Sequence, residues 1–174
     1  MANIFFAADY HFGHENCFKT FKLADGVTPL RPFSSVEEMN ETMIERHNKV
    51  VRPEDKIYML GDLAMGPKWL YLLGRMNGEK VLIKGNHDNA KLSQYLPYFK
   101  DVRGSHQFDG MLLTHIPVHP LSLARWGLNV HGHLHSYNVP DQYGKPDKRY
   151  RCVSVEQINY TPISLEEIRK DAGL

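Results

Sequence analysis

The residues in this chain whose types could do chemistry fall at a few points along it. From the N-terminus they are Asp9 with His11, Asp62, Asn86 with His87 and Asp88, His115, and His133 with His135. The chain has ten histidines, and most lie in these clusters or beside them, as His14, His119 and His131 do. Carboxylates, imidazoles and one amide make a mixed nitrogen and oxygen donor set. That set suits Mn, Fe, Zn, Ni or Co better than Ca or Mg, which take nearly all-oxygen shells. Asp9, His11, Asp62, Asn86, His115, His133 and His135 are too many donors for one tetrahedral zinc site. They fit two ions that share a bridging carboxylate. A two-ion site holds its metals about 3.5–4 Å apart, clamps a phosphoryl group and makes hydroxide available at neutral pH. The expected cofactor is therefore a pair of divalent transition-metal ions, Mn2+ first among them.

Each cluster ends an apolar run, and those runs must do the positioning. Asn3–Ala8, Lys56–Leu60, Glu79–Lys84, Met111–Thr114 and Leu128–Val130 lack polar alternation and read as buried strands. In open α/β sheets the ends of such strands line the ligand crevice. Asp9 and His11, two apart, are expected on one side of an extended backbone. Ser34 and Ser35 with Glu37 and Glu38 predict a capping box, followed by a helix to about Val50. His47 falls on its apolar stripe with Val36, Met39, Met43 and Ile44, and is expected as a packed core residue. Pro67 opens a second helix, Lys68 to Met76, closed by Asn77-Gly78. The first half is thus βαβαβ, which implies a parallel sheet. A short helix, Asn89–Leu96, follows. The later runs near Phe99–Arg103, Met111–Thr114, Leu128–Val130 and Arg149–Val155 have no helices between them and predict a second, largely antiparallel sheet. Ser164 caps a final helix. The loops Cys17–Phe33 and Pro117–Gly127 are expected to set specificity.

Taken in order, Asp9-x-His11, Gly61-Asp62, Gly85-Asn86-His87-Asp88, His115 and Gly132-His133-x-His135 resemble the calcineurin-like metallophosphoesterase superfamily. Asp9-x-His11-Phe12-Gly13-His14 with Arg31-Pro32-Phe33 is similar to its small stand-alone bacterial and phage members. The resemblance implies an α/β fold in which two sheets are sandwiched by helices, four layers αββα, with a dinuclear site along one edge. It implies that Asp9, His11, Asp62 and His135 hold one ion, and Asp62, Asn86, His115 and His133 the other. His87 matches the family's catalytic histidine, which implies that it protonates the leaving oxygen or stabilises charge on the phosphoryl group, and the implied reaction is in-line attack by a metal-bound hydroxide. One departure stands out: Met65 occupies the position where the protein-phosphatase branch has an acid that orients that histidine. His87 is then oriented by Asp88 or by backbone. His14, Arg31 and His119 are candidate substrate contacts.

The bulk numbers bound the rest. At 174 residues, 42% hydrophobic and 24% charged, the chain is expected as a single globular domain, residues 1–174. A formal net charge of +1 gives no footprint for general nucleic-acid binding, which makes a nuclease the weakest enzymatic reading. Cys17 and Cys152 are expected as unpaired thiols in a reducing compartment. No apolar run is long enough for a membrane span, and a cytoplasmic location is expected. The expected activity is a phosphodiesterase acting on a small phosphoester, nucleotide-derived ones included. The alternatives are a phosphomonoesterase and a metal-binding module without turnover.

Overall fold

The computed structural model of the protein describes residues 2–173. The chain forms β1 (Ile4–Ala7), β2 (Lys56–Met59), β3 (Glu79–Ile83), β4 (Asp101–Arg103), β5 (His106–Phe108), β6 (Met111–Leu113), β7 (Leu128–His131), β8 (Tyr150–Cys152) and β9 (Ile163–Ser164). Two sheets result, in the orders β4-β3-β2-β1-β9 and β5-β6-β7-β8, and helices flank them in an α/β sandwich. In the first sheet β1 to β4 are mutually parallel and β9 runs antiparallel to β1. Apolar runs of the kind seen in β1, β2 and β3 need cover on both faces, and their side chains are almost all buried. Phe6 of β1, Tyr58 of β2 and Phe108 of β5 pack ring on ring, with centroids 5.3 to 6.3 Å apart, and so join the two sheets.

The helix Val36–Val50 starts where the capping pattern placed it. Ser35 Oγ accepts from the Glu38 N–H, while the Glu38 carboxylate returns to Ser34. His47 is fully buried on its inner face, as its spacing predicted. Its Nδ1 takes the Tyr10 hydroxyl at 3.1 Å and its Nε2 donates to the Asn77 carbonyl at 3.0 Å. The second helix, Pro67–Arg75, is wound as 3₁₀ rather than α. Ile168 anchors the last helix, Leu165–Ala172, against β1 and β9, with Ser164 and Glu167 forming its capping box.

Several expectations need correction. The second sheet is not largely antiparallel: β6-β7 and β7-β8 are parallel, and only β5-β6 is antiparallel. The strand expected near Phe99–Arg103 joins the first sheet beside β3. β5 and β9 were not anticipated, being short edge strands. The helix expected over Asn89–Leu96 is reduced to Leu92–Tyr95. The Cys17–Phe33 segment opens inside one turn of helix, Asn16–Lys19. Among the described residues no helix is long and apolar enough to cross a membrane.

One pairing decides where the site lies. Past the end of β1, Ala8 bridges to Ser154, just beyond β8, with Ala8 N to Val153 O at 2.9 Å and Val155 N to Ala8 O at 3.0 Å. The two sheets are stitched together at the edge where the strand-end residues emerge.

Candidate metal centre

The loops after β1 and β2 keep step with each other as they leave the sheet. Asp9 N bonds Gly61 O at 2.9 Å and His11 N bonds Asp62 O at 3.0 Å. Asp9 and His11 are not on an extended backbone as expected. Asp9, His11, Asp62, His133 and His135 all adopt positive φ, at 60°, 46°, 54°, 69° and 51°. Left-handed backbone at a non-glycine residue costs of order 1–3 kcal/mol and persists where the surroundings over-determine it. Here it turns each side chain toward a common point instead of along the strand. Gly61 and Gly85 let the loops meet: a Cβ on Gly61 would lie 2.6 Å from the Gly85 Cα.

Asp9, His11 and His135 converge so that one donor atom of each lies within 4.8 Å of the others, and Asp62, His115 and His133 do the same. Asp62 stands between the groups. Its Oδ2 is 3.6 Å from His11 Nε2 and 3.3 Å from His115 Nε2, while its Oδ1 accepts from the His87 backbone N–H at 2.8 Å. Asn86 Oδ1 completes the second group, 2.9 Å from His115 Nε2 and 3.0 Å from His133 Nδ1.

The lone pairs fit a cation. Asp9 Oδ2 accepts from Ser154 Oγ at 2.6 Å and from His133 N at 2.8 Å. Its Oδ1 is buried without a partner, a costly state for a carboxylate oxygen unless a cation takes it. His115 Nδ1 donates to the Leu60 carbonyl at 2.7 Å, so its Nε2 lone pair faces the Asp62 and Asn86 oxygens. Acceptors converging on one another are an arrangement that could hold a cation. In the protein alone, burial pushes the Asp9 carboxyl up to about 6. Burial opposes ionisation of Asp62, yet in that metal-free state a protonated His115, donating to it through Nε2, holds it at about 2.

Around these donors lies a supporting layer that sequence reasoning missed. Glu156 Oε1 accepts from His135 Nδ1 at 3.1 Å and from Arg31 Nε at 2.8 Å. Burial works against its ionisation, but the Arg31 guanidinium and then His135 hold it at about 2. Arg31 is fully buried behind Asp9, so it faces the protein and not a substrate, contrary to expectation. Glu156 did carry a signal. It ends the run Arg149–Val155, and polar strand ends are what marked every other cluster.

His87 is exposed, its ring centroid 5.4 Å from that of His11. Asp88 does not orient it. The Asp88 carboxylate is buried and accepts from the N–H groups of Asp62, Leu63 and Gly85 at 2.9, 3.0 and 2.8 Å, tying the two loops together. His14 lies beside the site, 5.7 Å ring to ring from His11. His119 is exposed and caps the turn Pro120–Leu123, accepting from Leu121 N at 3.3 Å; no contact joins it to the donors. His131 is buried and bonds the Gly132 carbonyl at 2.7 Å.

The fold and site together define a class, an α/β sandwich that gathers two cation-competent donor groups at its strand ends. No protein-family model matches the chain. It is 38% identical over 178 residues to the uncharacterized protein MJ1445 of Methanocaldococcus jannaschii, spanning 98% of this chain and 91% of that protein. The chain therefore belongs to the family of MJ1445. The crystal structure of AQ665, a protein of unknown function from Aquifex aeolicus, superposes with a TM-score of 0.71 at 26% identity, covering 98% of this chain and 99% of that one. An archaeal phosphodiesterase superposes at a TM-score of 0.49 and 14% identity, over 87% of this chain and 82% of its own, too slight a likeness to carry an argument.

Proposed function

We propose that the chain is a metal-dependent phosphoester hydrolase, and among those a phosphodiesterase acting on a small substrate. The observation that carries this reading is the pair of donor groups on either side of Asp62 Oδ2, with the buried, unpartnered Asp9 Oδ1 in one of them. Asp9, His11, Asp62 and His135 would hold one ion; Asp62, Asn86, His115 and His133 the other. The mixed donors suit Mn2+, with Fe, Zn, Ni and Co as alternatives. Bound there, two such ions supply Lewis acidity toward a phosphoryl oxygen and a water acidic enough to lose its proton at neutral pH. The motif order of the calcineurin-like superfamily points the same way.

The chain's own groups do the rest. His87, on the open side of His11, donates a ring proton to the departing oxygen. The cavity on which it borders, about 190 Å³ and lined by Ala64, Met65, Leu70, Ala90 and Tyr95, receives the body of the leaving group. Met65, the departure from the phosphatase pattern, contributes to that apolar wall. Diesters are favoured over monoesters because Arg31 is turned away, leaving the imidazoles of His14 and His87 beside His11. A dianionic monoester calls for a denser cationic clamp than a monoanion does.

The test is hydrolysis of bis(p-nitrophenyl) phosphate and of p-nitrophenyl phosphate by chelator-stripped protein, before and after Mn2+ is restored, beside His87→Ala. Metal-dependent diester cleavage that the variant loses supports the proposal. Cleavage of the monoester alone moves the assignment to a phosphomonoesterase. Uptake of two ions with no turnover of either ester favours a binding module.

A further inference from the structure

We propose that Arg31 and Glu156 are a buried positioning pair that sets the ligand geometry of the Asp9/His11/His135 group; this rests on the metal-dependent reading above. Both side chains are charged and almost wholly removed from water, Arg31 at 0% and Glu156 at 4% exposure. They are 125 residues apart in sequence, and Glu156 lies two residues beyond Ser154, which bridges to Ala8 beside the Asp9 turn that Arg31 holds. Replacing a buried ion pair with apolar residues is often neutral or stabilising, so stability alone is a weak reason for such a pair. The contacts suggest a better one.

The guanidinium fork makes three oxygen contacts, and two of them are on the turn that presents the first ligand. Its two terminal nitrogens donate to the Tyr10 carbonyl at 2.8 Å and the Asp9 carbonyl at 2.5 Å, and Nε donates to Glu156 Oε1 at 2.8 Å. Asp9 has φ of +60° and His11 +46°, a strained turn that needs an external clamp to aim Asp9 Oδ1 at the site. Glu156 Oε1 also accepts the His135 Nδ1 proton at 3.1 Å. That bond selects the tautomer whose Nε2 lone pair is free for an ion. Because the charges of Arg31 and Glu156 cancel, His135 is oriented without adding negative charge to a site that already contains Asp9 and Asp62. Glu156 Oε2 has no partner, so the carboxylate's two bonds both fall on Oε1.

The experiment is calorimetric titration of the chelator-stripped full chain with Zn2+ and Mn2+, run on wild type, Glu156→Gln and the double variant Arg31→Met/Glu156→Leu, with a thermal melt of each. The zinc-loaded wild type is also taken through a long-range 15N–1H histidine spectrum. Wild type should bind two ions. In Glu156→Gln one binding step should weaken 10–100-fold, the effect usual for a lost outer hydrogen-bond partner, while the other holds. The double variant should recover thermal stability relative to Glu156→Gln yet keep the weakened step, which a purely structural pair would not do. The spectrum should show His135 protonated at Nδ1. Unchanged affinities in Glu156→Gln, restored affinity in the double variant, or His135 protonated at Nε2 would each overturn the inference while leaving the metal site standing. No metal uptake by wild type removes the reading beneath it. Where a variant does not fold, the wild-type spectrum still decides.

Discussion

The Asp9/His11/His135 group and the Asp62/His115/His133 group offer a cation similar chemistry from opposite sides of one carboxylate, yet they are held by different means. The first is built inward. Asp9 and His11 are buried, and behind them stand Arg31, Glu156 and Ser154, side chains brought from distant parts of the chain. The second also buries two of its members, Asp62 and His115, but has fewer side chains behind it. His115 is oriented by the Leu60 carbonyl, Asn86 is exposed, and the group borders a cavity of about 390 Å³ lined by Lys84, Thr114 and Ile116 among others. Fixed, buried orienting partners raise ligand basicity and restrict geometry. The comparison teaches that side chains from distant parts of the chain brace the first donor group, while the second is braced largely by backbone and opens through Asn86.

The most severe way to break the comparison is to remove what the halves share. Asp62→Asn takes the charge from the one oxygen that faces both groups. Diester turnover should fall to background, and equilibrium dialysis should show both ions weakened. Loss of only one ion would mean that Asp62 is not shared.

Acid tests both halves at once, because each leans on a buried neutral histidine. His47 beneath Tyr10 and His131 beside Gly132 are both pushed down to about 4, in each case chiefly by burial. A folded-state value below the unfolded 6.5 means the stability is present above pH 6.5 and is lost as pH falls toward 4. The slope is about 1.4 kcal/mol per pH unit for each group, roughly 3 kcal/mol each across the window. Asp9 works the other way in metal-free protein, since its raised value makes protonation favour the fold below about pH 6. Urea unfolding of the metal-free chain at pH 7 and 4.5 should still show a net loss. His47→Gln should flatten part of the slope; a slope unchanged by it would assign the acid lability elsewhere. Asp62 and Glu156, lowered from 3.8 and 4.5 to about 2, add a loss of stability that begins near those unfolded values and continues as pH falls toward 2.

A smaller effect follows from Gly85→Ala. A Cβ there would run into Asp62 Oδ1 and lie 2.5 Å from Asp62 N, where backbone cannot give cheaply. Overpacking of this kind costs about 3 kcal/mol. At roughly 2–4 °C per kcal/mol for a chain of this size, the melting temperature should drop by about 6–12 °C. Metal should recover part of the loss if the loop still closes; a melt unchanged from wild type would mean the loop has room that the geometry denies.

Much of this centre was legible in advance because apolar strands and polar strand ends leave local signals. The five clusters from Asp9 to His135 come together at one edge, and the capping serines at 34, 35 and 164 fall where helices start. What stayed hidden was whatever depends on partners far away in sequence. A charged residue reads as solvated by default, so Arg31 looked like a substrate contact until its burial against Glu156 was visible. The second sheet looked antiparallel because the segments linking β6 to β7 and β7 to β8 are irregular, without the helical period that usually marks a parallel crossover. The positive φ at Asp9, His11, Asp62, His133 and His135 was invisible too, since none of these is a glycine.

The finest test of the comparison separates two histidines that sequence treated alike. His14 is half-buried against the first group, T-shaped on Phe21 with centroids 5.4 Å apart and 5.7 Å from His11. His119 is exposed and spends its Nδ1 on a turn. Removing the His14 ring strips an imidazole from the face where a phosphoryl group would sit. His14→Ala should therefore raise KM for the diester while leaving the ion count at two. His119→Ala loses one long, solvent-exposed capping bond, so stability should move by no more than about 0.5 kcal/mol and neither kcat nor KM should change. A KM effect at His119 equal to that at His14 would mean that the Pro117–Gly127 segment closes over bound substrate, and would make the second group the substrate-covered one.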